Sequence, residues 1–133
     1  MNRPVVKENI KILVVDDERG WRDLFAWELA SKGYDVTVAD GGLDAIEKSK
    51  QETFDLVITD LKMCGMDGVE TFTSIRKIQP NVKVILMTGY AADDRIQEGL
   101  NSKASACIRK PFDLNLMLQT IQQTLFTSPN FNI

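Results

Sequence analysis

The chain has 133 residues, 44% of them hydrophobic and 26% charged, with a net charge of -3 and no histidine. That length suits one domain with a single core. The empty histidine column excludes Ser-His-Asp and Cys-His catalysis and zinc sites of the histidine-containing kinds.

Residues 1–9 are polar and read as a flexible N-terminal segment. Lys11–Val15 is the first of several short Val- and Ile-rich runs, expected to be strands buried on both faces. Trp21, Leu24, Phe25 and Leu29 then form an apolar helical stripe that stops at Lys32-Gly33. Trp21 and Phe25 read as core, and Trp27 as core nearer the edge. A second strand is predicted over Asp35–Ala39 and a helix over Gly42–Gln51, carrying Leu43 and Ile46. Leu56–Thr59 reads as a third strand. Val69, Phe72 and Ile75 mark a helix closed by Pro80, and Val82–Met87 reads as a fourth strand. Ala92–Leu100 is expected to be a mostly polar helix and Ala106–Ile108 a fifth strand. Asp113 should cap a last helix with Leu114, Leu118, Ile121 and Leu125 on one side. Residues 127–133 form a short tail. Five strands alternating with five helices predict a doubly wound α/β domain with a parallel sheet.

Cys64 and Cys107 are too few for a disulfide scaffold, and no apolar run nears the roughly 18 residues that span a bilayer. Without a basic block, nucleic acid is not expected as a direct partner. A cytoplasmic domain without membrane contact is the expectation.

In an open parallel sheet, ligands bind beyond the carboxyl ends of the strands. Asp16, Asp17 and Glu18 follow the first strand, Asp60 the third, Thr88 and Gly89 the fourth, and Lys110 the fifth. Taken singly, each has an ordinary reading as a cap, a turn or a surface charge. Together they bring complementary groups to one edge. Three clustered carboxylates repel one another, and a single lysine cannot neutralise them, so a hard cation such as Mg2+ is expected on Asp16, Asp17 and Asp60. Lys110, the Thr88 hydroxyl and the Gly89 amide would complete a cradle for a phosphoryl group, with Asp60 as nucleophile.

The segments KILVVDDE (11–18), VITDLKMCGMDG (57–68), VILMTGY (84–90) and IRKPF (108–112) resemble the receiver domain of two-component response regulators. The resemblance covers residues 10–126. It implies a CheY-like, flavodoxin-like three-layer sandwich whose five parallel strands run in the order 2-1-3-4-5. It further implies that Asp60 accepts a phosphoryl group from a histidine kinase or histidine phosphotransfer protein. Asp16, Asp17, Asp60 and the backbone carbonyl of Lys62 would hold Mg2+. Thr88 would move toward the phosphoryl group on activation, and Lys110 would pair with it. Gly68 matches the glycine of the loop after the acceptor strand. The fourth helix, fifth strand and fifth helix, about residues 91–125, would present the activated state to a downstream protein or a second copy of the chain in a phosphorylation-dependent homodimer. Such a module catalyses only its own phosphotransfer and autodephosphorylation.

Several residues depart from the pattern. Cys107 stands at the switch position, where the family usually has Tyr or Phe, so a large rotating gate is missing. Cys64 replaces a frequent proline, and Gly89 a frequent alanine. Lys62 and Tyr90 occupy positions that tune access of water in the family. Two rival readings stay open here. One is a binding module of the same fold that works without phosphorylation. The other is a small phosphatase of the haloacid-dehalogenase type, although that family carries Asp-x-Asp where this chain has Asp16-Asp17-Glu18. A nucleotide binder of flavodoxin type lacks its glycine-rich loop here. Nothing after residue 126 reads as an effector domain, which fits either a stand-alone regulator or a piece of a longer one.

Overall fold

A computed structural model of the chain describes residues 9–89, 104–110 and 113–126. Its elements are β1 (Lys11–Val15), α1 (Arg19–Ser31), β2 (Asp35–Ala39), α2 (Gly42–Gln51), β3 (Leu56–Asp60), α3 (Gly68–Ile78), β4 (Lys83–Thr88), β5 (Ala106–Arg109) and α4 (Leu114–Phe126). The helix expected over 92–100 lies outside the described residues, as do residues 1–8 and 127–133 of the two terminal segments.

All strand pairs are parallel, and the sheet runs β2-β1-β3-β4-β5. Successive side chains of a strand point to opposite faces, and the core divides accordingly. Leu13, Val15, Val57, Val84 and Leu86 pack with Ala45 of α2 and Phe72 and Ile75 of α3. Ile12, Val14, Ile58, Ile85 and Met87 pack with Phe25 and Leu29 of α1 and Met117 and Ile121 of α4. The result is the expected three-layer α/β sandwich.

Three expectations change. Burial on both faces holds for β1, β3 and β4, but β2 and β5 are only half-buried, and Asp35, the first residue of β2, is exposed. Their places at the two edges of the sheet explain this. In α1, Leu24 and Trp27 are 58% and 68% exposed, so neither is core. Leu43 at the start of α2 is 75% exposed, and that helix buries Gly42, Ala45 and Ser49 instead. Helical spacing leaves a helix's rotation about its axis open by one residue's width, and the sheet surface decides it.

Two helix ends behave as read. Gly33 takes a positive φ of 95° after α1, and the Asp113 carboxylate accepts from the Leu116 amide at 2.7 Å. At the start of α3, Asp67 and Glu70 form a capping box: Asp67 Oδ1 accepts from Glu70 N at 2.9 Å, and Glu70 Oε1 accepts from Asp67 N at 3.1 Å.

Candidate functional site

Backbone pairing carries the strands one residue past their apolar runs. Asp60 is the last residue of β3, opposite Met87, and Thr88 the last of β4, opposite Arg109. The Leu61 amide donates to the Met87 carbonyl at 2.7 Å, and the Lys110 amide to the Thr88 carbonyl at 2.6 Å. These bonds bring Asp60, Thr88 and Lys110 to one edge with their backbones fixed.

Asp16 follows β1 and is 1% exposed. Its Oδ1 accepts from the Glu18 amide at 2.9 Å, and its Oδ2 from Lys110 Nζ at 3.2 Å. Its carbonyl accepts from Arg22 Nη1 at 2.9 Å. Asp17 is exposed, and its Oδ2 accepts from the Cys64 amide at 2.9 Å, tying the β1 end to the loop after β3. Lys110 Nζ also reaches Asp60 Oδ2 at 3.2 Å. Asp16, Asp17 and Asp60 each offer a carboxylate oxygen within 4.8 Å of the other two. Thr88 is buried, and Gly89 follows it at the surface. Lys62 is exposed and lines, with Asp17, Leu61, Met63, Cys64 and Asp67, an open cleft of about 430 Å3.

Burial raises the Asp60 carboxyl above the usual carboxylate range; Lys110 opposes this, and the charges of Asp16 and Asp17 add to the rise. Burial also disfavours the Lys110 ammonium, but attraction to Asp60 and Asp16 outweighs it and raises its pKa. Two carboxylates 4.8 Å apart repel by about 3.5 kcal/mol at an effective dielectric of 20. Lys110 bridges Asp16 and Asp60, while Asp17 faces solvent. The donors are all hard oxygens, and their spacing suits one small divalent ion, whose opposite ligands sit about 4.2 Å apart. The set therefore fits Mg2+.

Cys107 is half-buried in β5, packed against the core cluster beneath α2 and α3, and burial raises its thiol pKa. Tyr90 lies outside the described residues. Two contributors had no place in the sequence reading of the site, and a third entered it only through the family resemblance. Trp21, read as core, has its ring 5.0 Å from Lys110 Nζ. Arg22 clamps the Asp16 carbonyl; a basic residue one turn past the acidic pair was its only signal. Gly68, read as loop, is the first residue of α3 and rests on Asp60, where an added Cβ would lie 2.4 Å from the carbonyl oxygen.

Comparison with known proteins identifies the family and the fold. Residues 12–122 match the model of the response regulator receiver domain. Sporulation initiation phosphotransferase F of Bacillus subtilis is 38% identical over 117 residues, covering 88% of this chain and 94% of that protein. Transcriptional regulatory protein ZraR of Klebsiella oxytoca is 37% identical over 118 residues, covering 89% of this chain. The chain spans 27% of the length of ZraR. Among solved structures, chemotaxis protein CheY4 of Vibrio cholerae superposes with a TM-score of 0.82 at 30% identity, covering 87% of this chain and 98% of that one. Response regulator TrrA of Thermotoga maritima, in complex with Mg(2+)-BeF, gives a TM-score of 0.77 at 34% identity, covering 87% and 99%. Three carboxylates and a bridging lysine at the carboxyl edge of a 2-1-3-4-5 parallel sheet, with this match over most of the chain, place it in the family of response regulator receiver domains.

Proposed function

We propose that the chain is a phosphoacceptor signalling module in which Asp60 takes a phosphoryl group from a phosphohistidine of a histidine kinase or histidine phosphotransfer protein. The observation that carries the reading is the Lys110 ammonium, 3.2 Å from both Asp16 and Asp60 beside a third carboxylate. A carboxylate oxygen of Asp60 attacks phosphorus, the P–N bond breaks, and its electron pair returns to the donor's imidazole. The nucleophile is anionic and so is the incoming group, so positive charge must already be in place. Lys110 supplies one such charge and swings from bridging carboxylates to pairing with the phosphoryl oxygens. The Thr88 hydroxyl and the Gly89 amide, at the end of the neighbouring strand, donate to the same oxygens.

Asp16, Asp17, Asp60 and the carbonyl of Lys62 are the groups that would hold Mg2+, which when bound offsets the repulsion among carboxylates and phosphoryl oxygens. Asp16 is held for this role by the Glu18 amide, and Asp17 by the Cys64 amide. Hydrolysis of the acyl phosphate returns the module to its resting state. Receiver domains are signalling modules, and phosphorylation here would shift a two-state equilibrium read at the fifth strand and the helices flanking it. The receptor of that change is a downstream protein or a second copy of the chain, in the cytoplasm. Cys107 is the switch residue in β5. Being half-buried and small, it would act through packing of the strand.

The test is mass spectrometry of the intact protein after incubation with Mg2+ and acetyl phosphate. One added phosphoryl group is expected, absent in Asp60→Asn. Equal gain by that variant would overturn the assignment. The same half-buried Cys107 favours, as a second reading, a module whose partner binding ignores phosphorylation. Equal partner affinity before and after phosphorylation would select it.

A further inference from the structure

We propose that Trp21 is a positioning residue for phosphoryl transfer, its indole face holding the Lys110 ammonium beside Asp60. The inference rests on the phosphoacceptor reading above. Lys110 Nζ donates to Asp16 and Asp60 at 3.2 Å each and lies 5.0 Å from the Trp21 ring centroid. An ammonium has three donors, so two carboxylates leave one side of it to be met by something else. The Lys110 side chain is only 13% exposed, and a cation over an indole gains most where water is excluded.

The choice of group matters chemically. A third carboxylate would hold the ammonium and also neutralise it. The indole face attracts the cation without a counter-charge, so Lys110 keeps its charge for the phosphoryl oxygens that arrive at Asp60. The placement is well fixed. Trp21 sits in the first turn of α1, one turn after Asp17, and the helix is anchored through Phe25 and Leu29, both buried against the sheet. The ring also lines, with Leu24, Phe25, Glu28 and Leu114, an apolar groove of about 210 Å3 between α1 and α4. Trp21 thus acts through Lys110 and touches no reacting atom.

Trp21→Leu keeps an apolar side chain, though a smaller one, and helix propensity but removes the π face; Trp21→Phe keeps a smaller face. With Mg2+ present, phosphorylation by acetyl phosphate is followed by intact mass over a range of donor concentrations. Trp21→Leu should lower the maximal rate constant about fivefold, equivalent to ~1 kcal/mol, with the half-saturating donor concentration unchanged. Trp21→Phe should recover most of that loss. In urea unfolding of the protein without donor, Trp21→Leu and Lys110→Met should couple about fivefold in the unfolding constant. Additive unfolding effects, a wild-type rate in Trp21→Leu, or equal slowing in Trp21→Phe would each overturn the proposal. Trp21→Met carries the same comparison if the leucine variant does not fold. A wild-type protein that gains no phosphoryl group overturns the phosphoacceptor reading instead, and the unfolding cycle still tests the contact between ring and ammonium.

Discussion

Gly68→Ala probes the seat on which the proposed nucleophile rests. A Cβ at this position would lie 2.4 Å from the Asp60 carbonyl oxygen, 3.0 Å from Leu61 Cα and 3.1 Å from the Asp60 carbonyl carbon. All three are backbone atoms, which cannot rotate aside. Ordinary contact begins near 3.4 Å, so the first turn of α3 must retreat by about 1 Å. That retreat strains the bond from the Gly68 amide to the Leu61 carbonyl, now 2.9 Å. Overpacking of this kind costs roughly 1–3 kcal/mol. Alanine offsets up to ~1 kcal/mol of it through helix propensity, and less at a helix's first residue. A net loss of about 1–2 kcal/mol should lower the melting temperature by roughly 3–10 °C. Gly20 is the internal control: it is helical and exposed, and a Cβ there meets nothing within 4 Å. Gly20→Ala should therefore gain about 0.5–1 kcal/mol. Circular-dichroism melts of the two variants beside the wild type make the comparison. A Gly68→Ala protein that melts at or above the wild type would refute the tight seat and the placement of α3 against β3.

Magnesium should raise the melting temperature, by an amount equivalent to about 2.7 kcal/mol at 100 times its Kd. Asp17→Asn should shrink that shift, and equal melts in EDTA and in millimolar Mg2+ would argue against the carboxylate site. In EDTA, the raised Asp60 pKa means that the folded state keeps a proton that the unfolded state loses. Stability should therefore fall as pH rises from the ordinary carboxylate range through the higher folded value. Asp60→Asn should be the more stable protein at neutral pH, with the advantage closing at acid pH; a constant difference in melting temperature from acid to neutral pH would contradict the shift. Iodoacetamide at neutral pH should label exposed Cys64 well before half-buried Cys107, whose thiol burial holds protonated. Peptide mapping of a time course reads the order, and faster labelling of Cys107 would place it at the surface.

Much of the site was legible because its residues sit where strands end. Asp16, Asp60, Thr88 and Lys110 each close a Val- or Ile-rich run, and parallel strands with helical crossovers must all end at the same edge. The carboxyl ends of the third, fourth and fifth strands fell one residue short for a simple reason. Hydrophobicity stops at Thr59 and Met87, while ladder pairing continues to Asp60 and Thr88. The role of Trp21 was not legible. An aromatic residue on a helix stripe fits a core equally well, and Lys110 is 89 positions away in the chain. Leu24 and Trp27 failed differently, since their exposure depends on how α1 is rolled against the sheet.

The sequence by itself determined the alternation of strands and helices, the burial of the central strands and the kinds of group at the carboxyl edge. Each follows from a period of two or of 3.6, or from the order of residues within one short segment. Only the tertiary structure decided that Lys110 bridges Asp16 and Asp60, that the Trp21 ring meets its ammonium, and that Gly68 must stay bare against the Asp60 carbonyl. Those contacts join segments far apart in the chain. Their distances are set by the register between strands and by the roll of helices on the sheet, and both are fixed only when the whole core packs.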